Sequence, residues 1–473
     1  ELDAGGEVTA LTLLIGGRSL VVGQASGEVS IWFPVEGANN QAVLTRIRDM
    51  APLKSAITRL SPSRRNKGFL AATATDELGL YYSTSNRQLW SGQSPIAGLT
   101  AMDFGPKADA AYLAGAGAIA TLDIVNPHPE TSLQALFGEV WYESYPKPDR
   151  VWQSSSGTDD FEPKFSLVPL LVGTLKGTFY SLLLAVPLAV LGAMFVSHFM
   201  SPGLKAIVKP MIEIMAAMPS VVLGFLAGLW LAPRLEEIFP SVFLMAFSLP
   251  LLLILTGFCW SQIPPGLRNR LPAGIEVLPF MIVLGAGIFG CIEMSLPFEN
   301  LVFGGDFARW LRESSGLAFD QRNAIVVGMA MGFAVIPIIF AISEDAFSNV
   351  PKQLVSGSLA LGATLWQTVT RVVVPTASPG IFSAIMVGFG RAVGETMIVL
   401  MATGNTPIMD WNPFNGFRTL SANIAVEIPE APQFSTLYRT LFLAALLLFI
   451  LTFIVNTAAE IVRHRLRERY GKL

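Results

Sequence analysis

The spacing of apolar and polar residues divides the chain near residue 166. Before this point, apolar residues alternate with polar ones in short runs separated by turns, as in SLVVGQASGEVSIWF at residues 19–33. A two-residue period of this kind predicts β-strands joined in hairpins. Beyond this point, apolar runs of about twenty residues predict helices.

Three segments of the first part resemble one another. They begin at Val8, Ile57 and Leu99, and each predicts strand, turn, strand, turn and strand. Their spacings of 49 and 42 residues match the period of a β-propeller blade. We therefore predict that residues 1–125 form an all-β, propeller-like domain, with a meander or a small sandwich as the alternative.

The ends of this first part carry different signals. Residues 126–166 are rich in Pro, Gly and Ser and predict a connector. The opening residues, ELDAGGEVTALTLL, do not form a signal peptide. Since a propeller needs about four to eight blades, we expect further blades and one more span upstream of Glu1.

Residues 167–473 are predicted to be the membrane part of the chain. Only helices fit these long apolar runs, because an open strand would leave backbone groups unsatisfied in lipid. The seven predicted spans are Phe179–Phe199, Met211–Ala232, Val242–Trp260, Val277–Leu296, Ala324–Ile342, Pro379–Met401 and Leu441–Val462.

Composition supports a membrane protein and excludes several other classes. Hydrophobic residues make up 52% and charged residues 14% of the chain, and the mean hydropathy is +0.53. The net charge of −3 argues against a nucleic-acid binder. Two cysteines in separate apolar runs and three scattered histidines predict neither a disulfide framework nor a metal site.

Basic residues predict the orientation in the membrane. The tail RHRLRERYGKL follows the last span, and positive charge beside a span marks the cytoplasmic side. Seven crossings then place the β domain on the extracytoplasmic side. The basic residues assigned to cytoplasmic segments, besides the tail, are Lys205, Lys209, Arg268, Arg270, Lys352 and Arg371.

The segment from Glu344 to Gly380 is too polar to span and too regular for a loose loop. A short helix is predicted from Gln353 to Leu361, a break at Gly362, and renewed helical spacing up to Pro375. Its apolar side suits the groove of a partner protein or, equally well by periodicity, the headgroups of membrane lipid.

This segment resembles the loop by which ABC importer permeases engage their ATPase, with the pattern E-A-A, three residues, G, nine residues, I-x-L-P. The chain has Ser356 where the family has its glutamate. GRAVGETMIVLMATGNTP and IEIMAAMPSVVLGFLAGLWLAP are similar to sequences of the phosphate-specific branch. The positions that match the loop pattern are Ser356, Gly357, Ser358, Gly362, Val372, Val374 and Pro375.

The resemblance covers roughly residues 167–473 and implies the type I ABC importer permease fold. It implies a permease subunit for phosphate, without catalytic residues or cofactors, in the bacterial cytoplasmic membrane. It also implies three kinds of partner: a second related permease subunit, ATPase subunits and an extracytoplasmic phosphate-binding protein. The sequence agrees in having no G-x-x-x-x-G-K-[ST] motif, so ATP hydrolysis would come from the partner.

Arg391 and Glu395 are the candidate substrate-pathway residues. Both lie in an apolar run, where each charge costs about 2.5–3.5 kcal/mol on insertion scales. Residues four apart share a helix face, so the two charges are expected to neutralise each other in part while the helix inserts. The guanidinium would then be available to an oxyanion. The alternative is an ion pair that joins this helix to its neighbour.

Two rival functions stay open from the sequence. One is import of another oxyanion, such as phosphonate, sulfate or molybdate. The other is a membrane-anchored sensor or scaffold, in which the β domain binds a ligand. The sequence does not indicate what the β domain binds.

Overall fold

The computed structural model describes residues 4–36, 41–158, 161–264, 275 and 277–470. It divides into two compact units. The first comprises Glu1–Pro169 and Glu427–Leu443, and the second comprises Leu170–Val426 and Ala444–Leu473. The change in sequence pattern near residue 166 therefore lies close to the boundary between the units.

Residues 4–125 of the first unit contain three antiparallel sheets among those described, and strands that are consecutive in the sequence pair with each other. The predicted all-β domain is confirmed. The first two repeats each contain a fourth strand that the sequence analysis did not predict. The sheets are β1 (Val8–Leu13), β2 (Leu20–Gln24), β3 (Val29–Glu36) and β4 (Ala42–Met50); β5 (Ile57–Pro62), β6 (Gly68–Thr73), β7 (Glu77–Tyr82) and β8 (Arg87–Gln93); and β9 (Leu99–Phe104), β10 (Ala110–Gly115) and β11 (Ala118–Asp123).

The sheets pack side by side through apolar faces. Strand β1 lies beside β5, and β5 lies beside β9, as successive blades of a propeller do. Phe69 and Tyr81 stack at 5.2 Å in the core between the first two sheets, and Leu70 packs with Phe104 between the second and third. The described residues supply three blades and do not close a ring.

The predicted connector contains three short elements: α1 (Leu133–Phe137) and the paired strands β12 (Trp152–Gln153) and β13 (Lys164–Phe165). It contacts a segment from near the end of the chain. The Trp152 indole donates to the Glu427 carboxylate at 3.0 Å. His128 Nδ1 and the Thr436 hydroxyl are 2.9 Å apart. Residues far apart in sequence thus complete the first unit.

The second unit is helical, as predicted. Its helices, with the last beginning in the first unit, are α2 (Val168–His198), α3 (Pro202–Ala216), α4 (Ser220–Phe225), α5 (Ala232–Ser261), α6 (Val277–Glu293), α7 (Ser295–Val302), α8 (Phe307–Ser315), α9 (Ala324–Ser348), α10 (Lys352–Ala360), α11 (Leu365–Thr368), α12 (Val374–Gly394), α13 (Met397–Ala402), α14 (Leu420–Glu427) and α15 (Thr436–Tyr470).

The described residues contain fewer candidate spans than the seven predicted. Five helices of the described residues are long and apolar enough to cross a membrane, or six if one pair bent by 53° counts as a single span. The five are Val168–His198, Ser220–Ser261, Ala324–Ser348, Leu365–Gly394 and Thr436–Arg465, and the bent pair is Val277–Glu293 with Ser295–Ser315.

The difference arises from the charged stretch around Arg234, which suggested a loop between two spans. A π-helical turn at Leu226–Leu231 instead joins α4 to α5 in one helix. Arg234 and Glu237 pair at 3.2 Å on the surface of this helix, so the helix accommodates both charges. The segment 261–276, with Arg268 and Arg270, lies mostly outside the described residues.

A second correction concerns Pro375, where the sequence analysis ended the helix. The helix runs from Leu365 to Gly394, with a π-helical turn at Val369–Val373 immediately before Pro375. Proline lacks an N–H group, and the wider turn places it at the start of regular α-helical bonding, where no such group is needed. Helix α12 then packs on α9, where Gly388 lets Ile339 approach closely.

Candidate functional site

The predicted helix, break and helix around Gly362 are present. Ser356, Gly357 and Ser358 lie on α10, and Gly362 has a φ of +86°, which favours glycine. Thr364 begins α11 with a capping box, in which its hydroxyl accepts from the Gln367 N–H at 3.2 Å.

Side-chain contacts fix the angle between the two helices. The Ser358 and Thr368 hydroxyls are 2.9 Å apart and join α10 to α11. Val369 and Val373 are fully buried, whereas Val372 and Val374 are half-buried. The segment is therefore a defined helix–turn–helix.

Exposed apolar side chains follow this turn. Leu361 is 90% exposed and Trp366 is 58% exposed, and Leu359 and Leu365 are exposed as well. We call these four residues the apolar ridge. Large apolar groups presented by a defined turn are typical of a surface that a partner covers.

The assumed geometry of Arg391 and Glu395 is wrong. Helix α12 ends at Gly394, and Glu395 has an extended backbone with φ −66° and ψ 125°. The two residues therefore do not share a helix face. The Glu395 carboxylate instead accepts from the Ile398 N–H at 3.4 Å, at the start of α13.

Arg391 is exposed in the last turn of α12. In the described part of the chain, no ion pair or hydrogen bond engages its guanidinium. Glu395 thus does not neutralise Arg391, and the guanidinium keeps its donors for another group. The structure does not test whether either residue lies on a substrate pathway.

The break after α12 is lined by polar groups although the unit is apolar. The Ser421 hydroxyl donates to the Glu395 carbonyl at 3.0 Å, and the Leu420 N–H donates to the Thr174 hydroxyl on α2 at 3.0 Å. Two further polar residues are fully buried: Thr403, which directly follows α13, and Asn423 on α14. The break is thus joined by hydrogen bonds to α14, and α14 to α2.

Lys176 is a charged group that the sequence analysis missed. It lies on the apolar helix α2, is completely buried, and pairs with Asp410 at 2.8 Å. Asp410 belongs to the segment 403–419, which connects α13 to α14 and which we call the polar segment. Its second carboxylate oxygen accepts from the Asn415 amide at 2.7 Å.

Two glycines flank Lys176 and admit the polar segment. A Cβ at Gly173 would lie 2.2 Å from the Arg418 carbonyl oxygen, and one at Gly177 would lie 2.6 Å from the Phe417 ring. Lys176 and these glycines form the sequence GTLKGT at residues 173–178. A lysine between two glycines in an apolar run indicates a close contact of α2 but does not indicate its partner.

A second buried ion pair joins α3 to α9. Glu344 is almost fully buried, and its two oxygens accept from Lys205 at 2.6 Å and Lys209 at 3.1 Å. The Ser348 hydroxyl donates to the same carboxylate at 2.8 Å. This cluster lies just before α10 in sequence and connects two helices of the second unit.

Comparison with known families assigns this architecture. Residues 301–468 match the model of the family "Binding-protein-dependent transport system inner membrane component". The match includes the apolar ridge, Arg391, Glu395 and the polar segment.

Individual proteins agree with the family match. The chain is 28% identical over 295 residues to the probable ABC transporter permease protein YqgH of Bacillus subtilis, covering 62% of this chain and 71% of that protein. It is 28% identical over 299 residues to the phosphate transport system permease protein PstC 1 of Mycobacterium tuberculosis, covering 63% and 71%.

Among solved structures, an inward-facing form of the MetNI methionine ABC transporter aligns with a TM-score of 0.34 and 16% identity, over 63% of this chain and 94% of that one. The family model over residues 301–468 and the two permease relatives show that this chain is similar to binding-protein-dependent transport system inner membrane components, the membrane permeases of ABC transporters.

Proposed function

We propose that this chain is the permease subunit of an ATP-driven importer that carries inorganic phosphate across the cytoplasmic membrane. The similarity to the phosphate transport system permease of M. tuberculosis over 299 residues carries the proposal. The exposed guanidinium of Arg391 at a helix break supports it, because arginine binds phosphate oxygens through two parallel hydrogen bonds.

Arg391 and Glu395 are proposed to line the pathway, in roles that differ from those expected of an ion pair. Arg391 offers an unneutralised charge to the anion. Glu395 holds the start of α13 and thereby the shape of the break, through the Ile398 N–H. A site that only passes its ion onward has to bind it weakly enough to release it. One exposed guanidinium meets that condition better than a buried cluster of cations.

The apolar ridge is proposed to dock into a groove of the partner ATPase. ATP-driven closure of two such ATPases would move α10 and α11, and the continuous helix Leu365–Gly394 would carry that motion to Arg391 at its far end. A second, related permease subunit would complete the pathway, and an extracytoplasmic phosphate-binding protein would deliver the anion.

Uptake by the reconstituted complex tests the proposed function. Proteoliposomes that contain the chain, its permease partner, the ATPase and the binding protein are expected to accumulate radiolabelled phosphate only when ATP is supplied. Sulfate, molybdate and phosphonate are the comparison anions. ATP-dependent uptake of one of these in place of phosphate would assign a different oxyanion, and no uptake of any would contradict the transport function.

The β domain is proposed to be extracytoplasmic. Helix α15 begins at Thr436, within the unit that contains the β sheets, and then spans as Thr436–Arg465. Its far end carries the basic tail, which marks the cytoplasmic side. One crossing by α15 thus separates the tail from the β domain. Leu365–Gly394 is the candidate span that precedes α15. If both cross, the Leu365 end of that helix, with the apolar ridge, lies on the same side as the tail.

Cysteine labelling tests this orientation. Both native cysteines, Cys259 and Cys291, are first replaced by serine, and single cysteines are then introduced by Thr100→Cys or Ser356→Cys at exposed positions. A membrane-impermeant maleimide is expected to label the first variant in spheroplasts and the second only in inverted vesicles. The opposite pattern would reverse the orientation.

A further inference from the structure

Turns from successive blades meet at one end of the β domain around a cavity of about 660 Å³. The turn between β5 and β6 and the turn between β9 and β10 form part of its wall, and residues 161–163 form another part. A second cavity of about 250 Å³ shares Lys67, Phe161 and Glu162 with it. A cleft of this size is typical of a site for a small molecule.

We call the two cavities together the cleft. Each blade contributes a cation to the cleft from its first hairpin turn. Arg18 lies between β1 and β2, Arg65 and Lys67 lie between β5 and β6, and Lys107 lies between β9 and β10. The repeat therefore places basic side chains at corresponding positions. Arg65 and Lys107 are exposed, and no ion pair among the described residues engages either of them.

Lys67 forms the floor of the cleft and is only 4% exposed. Its ammonium donates to the Ile15 carbonyl and to the Glu143 carboxylate, both at 2.7 Å. These contacts fix the ammonium in place. Lys67 is thus a fixed cation in the same cavity as the exposed Arg65 and Lys107. A group that is already held in place lowers the entropy cost of binding.

Glu162 lines both cavities and has a raised pKa. Glu162 accepts from the Thr84 hydroxyl. Burial raises the pKa of Glu162 to about 7, against the opposing effect of the nearby cations. The charged and titratable groups that face it are Arg48, Lys67, Tyr82, Glu130, Tyr142, Glu143 and Lys164.

We propose that this cleft binds a small multivalent anion, an oxyanion or a polycarboxylate. The two cavities are lined by five cations, Arg18, Arg65, Lys67, Lys107 and Lys164, and by four carboxyl groups, Asp109, Glu130, Glu143 and Glu162. Five cations against four carboxyl groups make the local balance positive in a chain whose net charge is −3, and uptake of a proton by Glu162 near neutral pH makes it more positive. The inference does not depend on the transport function.

Hydrogen exchange of the full-length protein in nanodiscs, with and without 10 mM sulfate, phosphate or citrate, tests the proposal. At least one anion is expected to protect peptides that contain residues 63–67 and 105–109. Because the readout is local, binding near Arg391 does not confuse it. Absence of protection with all three anions would overturn the proposal.

Substitutions identify the groups that bind. The double substitution Arg65→Ala with Lys107→Ala is expected to weaken binding of the protecting anion by at least tenfold. Arg64→Ala is the matched control, because Arg64 is in the same turn but does not line the cleft and pairs with Asp103 at 3.6 Å. It should change affinity less than twofold. Equal affinities in the two variants would place the anion elsewhere.

The protonation of Glu162 gives a second readout. Sulfate keeps its charge between pH 6 and pH 8, so any change in its affinity reports on the protein. We expect tighter sulfate binding at pH 6, where Glu162 is neutral, than at pH 8, and a smaller difference in Glu162→Gln. Tighter binding at pH 8 would contradict an anion site next to Glu162.

Discussion

Asp410→Ala is expected to destabilise the permease unit by about 3–5 kcal/mol, because it leaves the fully buried ammonium of Lys176 without its carboxylate. The polar segment also loses the hydrogen bond between Asn415 and Asp410. The midpoint of thermal unfolding, followed by size-exclusion chromatography of the heated, detergent-solubilised protein, measures the effect. Less folded protein should be recovered from membranes.

A paired substitution separates the charge effect from a packing effect. Lys176→Met combined with Asp410→Leu removes both charges and is expected to recover most of the stability, since apolar pairs of similar size replace buried ion pairs well. Arg309→Ala is the matched control, because its ion pair with Glu313 is exposed to solvent and contributes little to stability. If Asp410→Ala lowered the unfolding midpoint no more than Arg309→Ala does, the burial of Lys176 would not depend on its ion pair with Asp410.

Trp366→Asp is expected to reduce binding of the partner ATPase by roughly 30-fold, which corresponds to about 2 kcal/mol for a buried aromatic residue at an interface. Leu361→Asp should act in the same direction, since both residues belong to the apolar ridge. Recovery of the ATPase with the tagged permease from detergent extracts, titrated with ATPase, measures the change.

Leu133→Asp is the control for this substitution. Leu133 is 79% exposed, which makes it comparable with the ridge, but it lies in the first unit, far from α10 in sequence. It should leave ATPase binding unchanged. If Trp366→Asp retained full binding, the ridge would rest on lipid rather than on the ATPase.

Local signals in the sequence predicted the helix–turn–helix well. Gly362 and the Thr364 capping box act within a few residues, so their effect can be predicted from the sequence without knowledge of the fold. The three β repeats could be predicted for the same reason, because a hairpin is a local structure. The fourth strands β4 and β8 lie beyond the repeat unit that was compared.

Contacts between distant segments could not be predicted in this way. Lys176 and Asp410 are 234 residues apart, and no pattern in either segment indicates the other. The expected helix face shared by Arg391 and Glu395 is wrong for a different reason, since the four-residue rule holds only in a continuous helix. Here α12 ends at Gly394 and α13 begins at Met397, so the rule does not apply.

Arg391 is proposed to be the group that meets the anion on its way through the membrane. ATP-dependent phosphate uptake by proteoliposomes with the complete complex, comparing the unaltered chain with Arg391→Ala, tests this most directly. Arg439→Ala, a substitution of another exposed arginine in the same chain, is the control. Arg391→Ala is expected to lose at least tenfold in uptake while it still binds the ATPase, and Arg439→Ala is expected to transport normally. Uptake at the normal rate by Arg391→Ala would contradict this role.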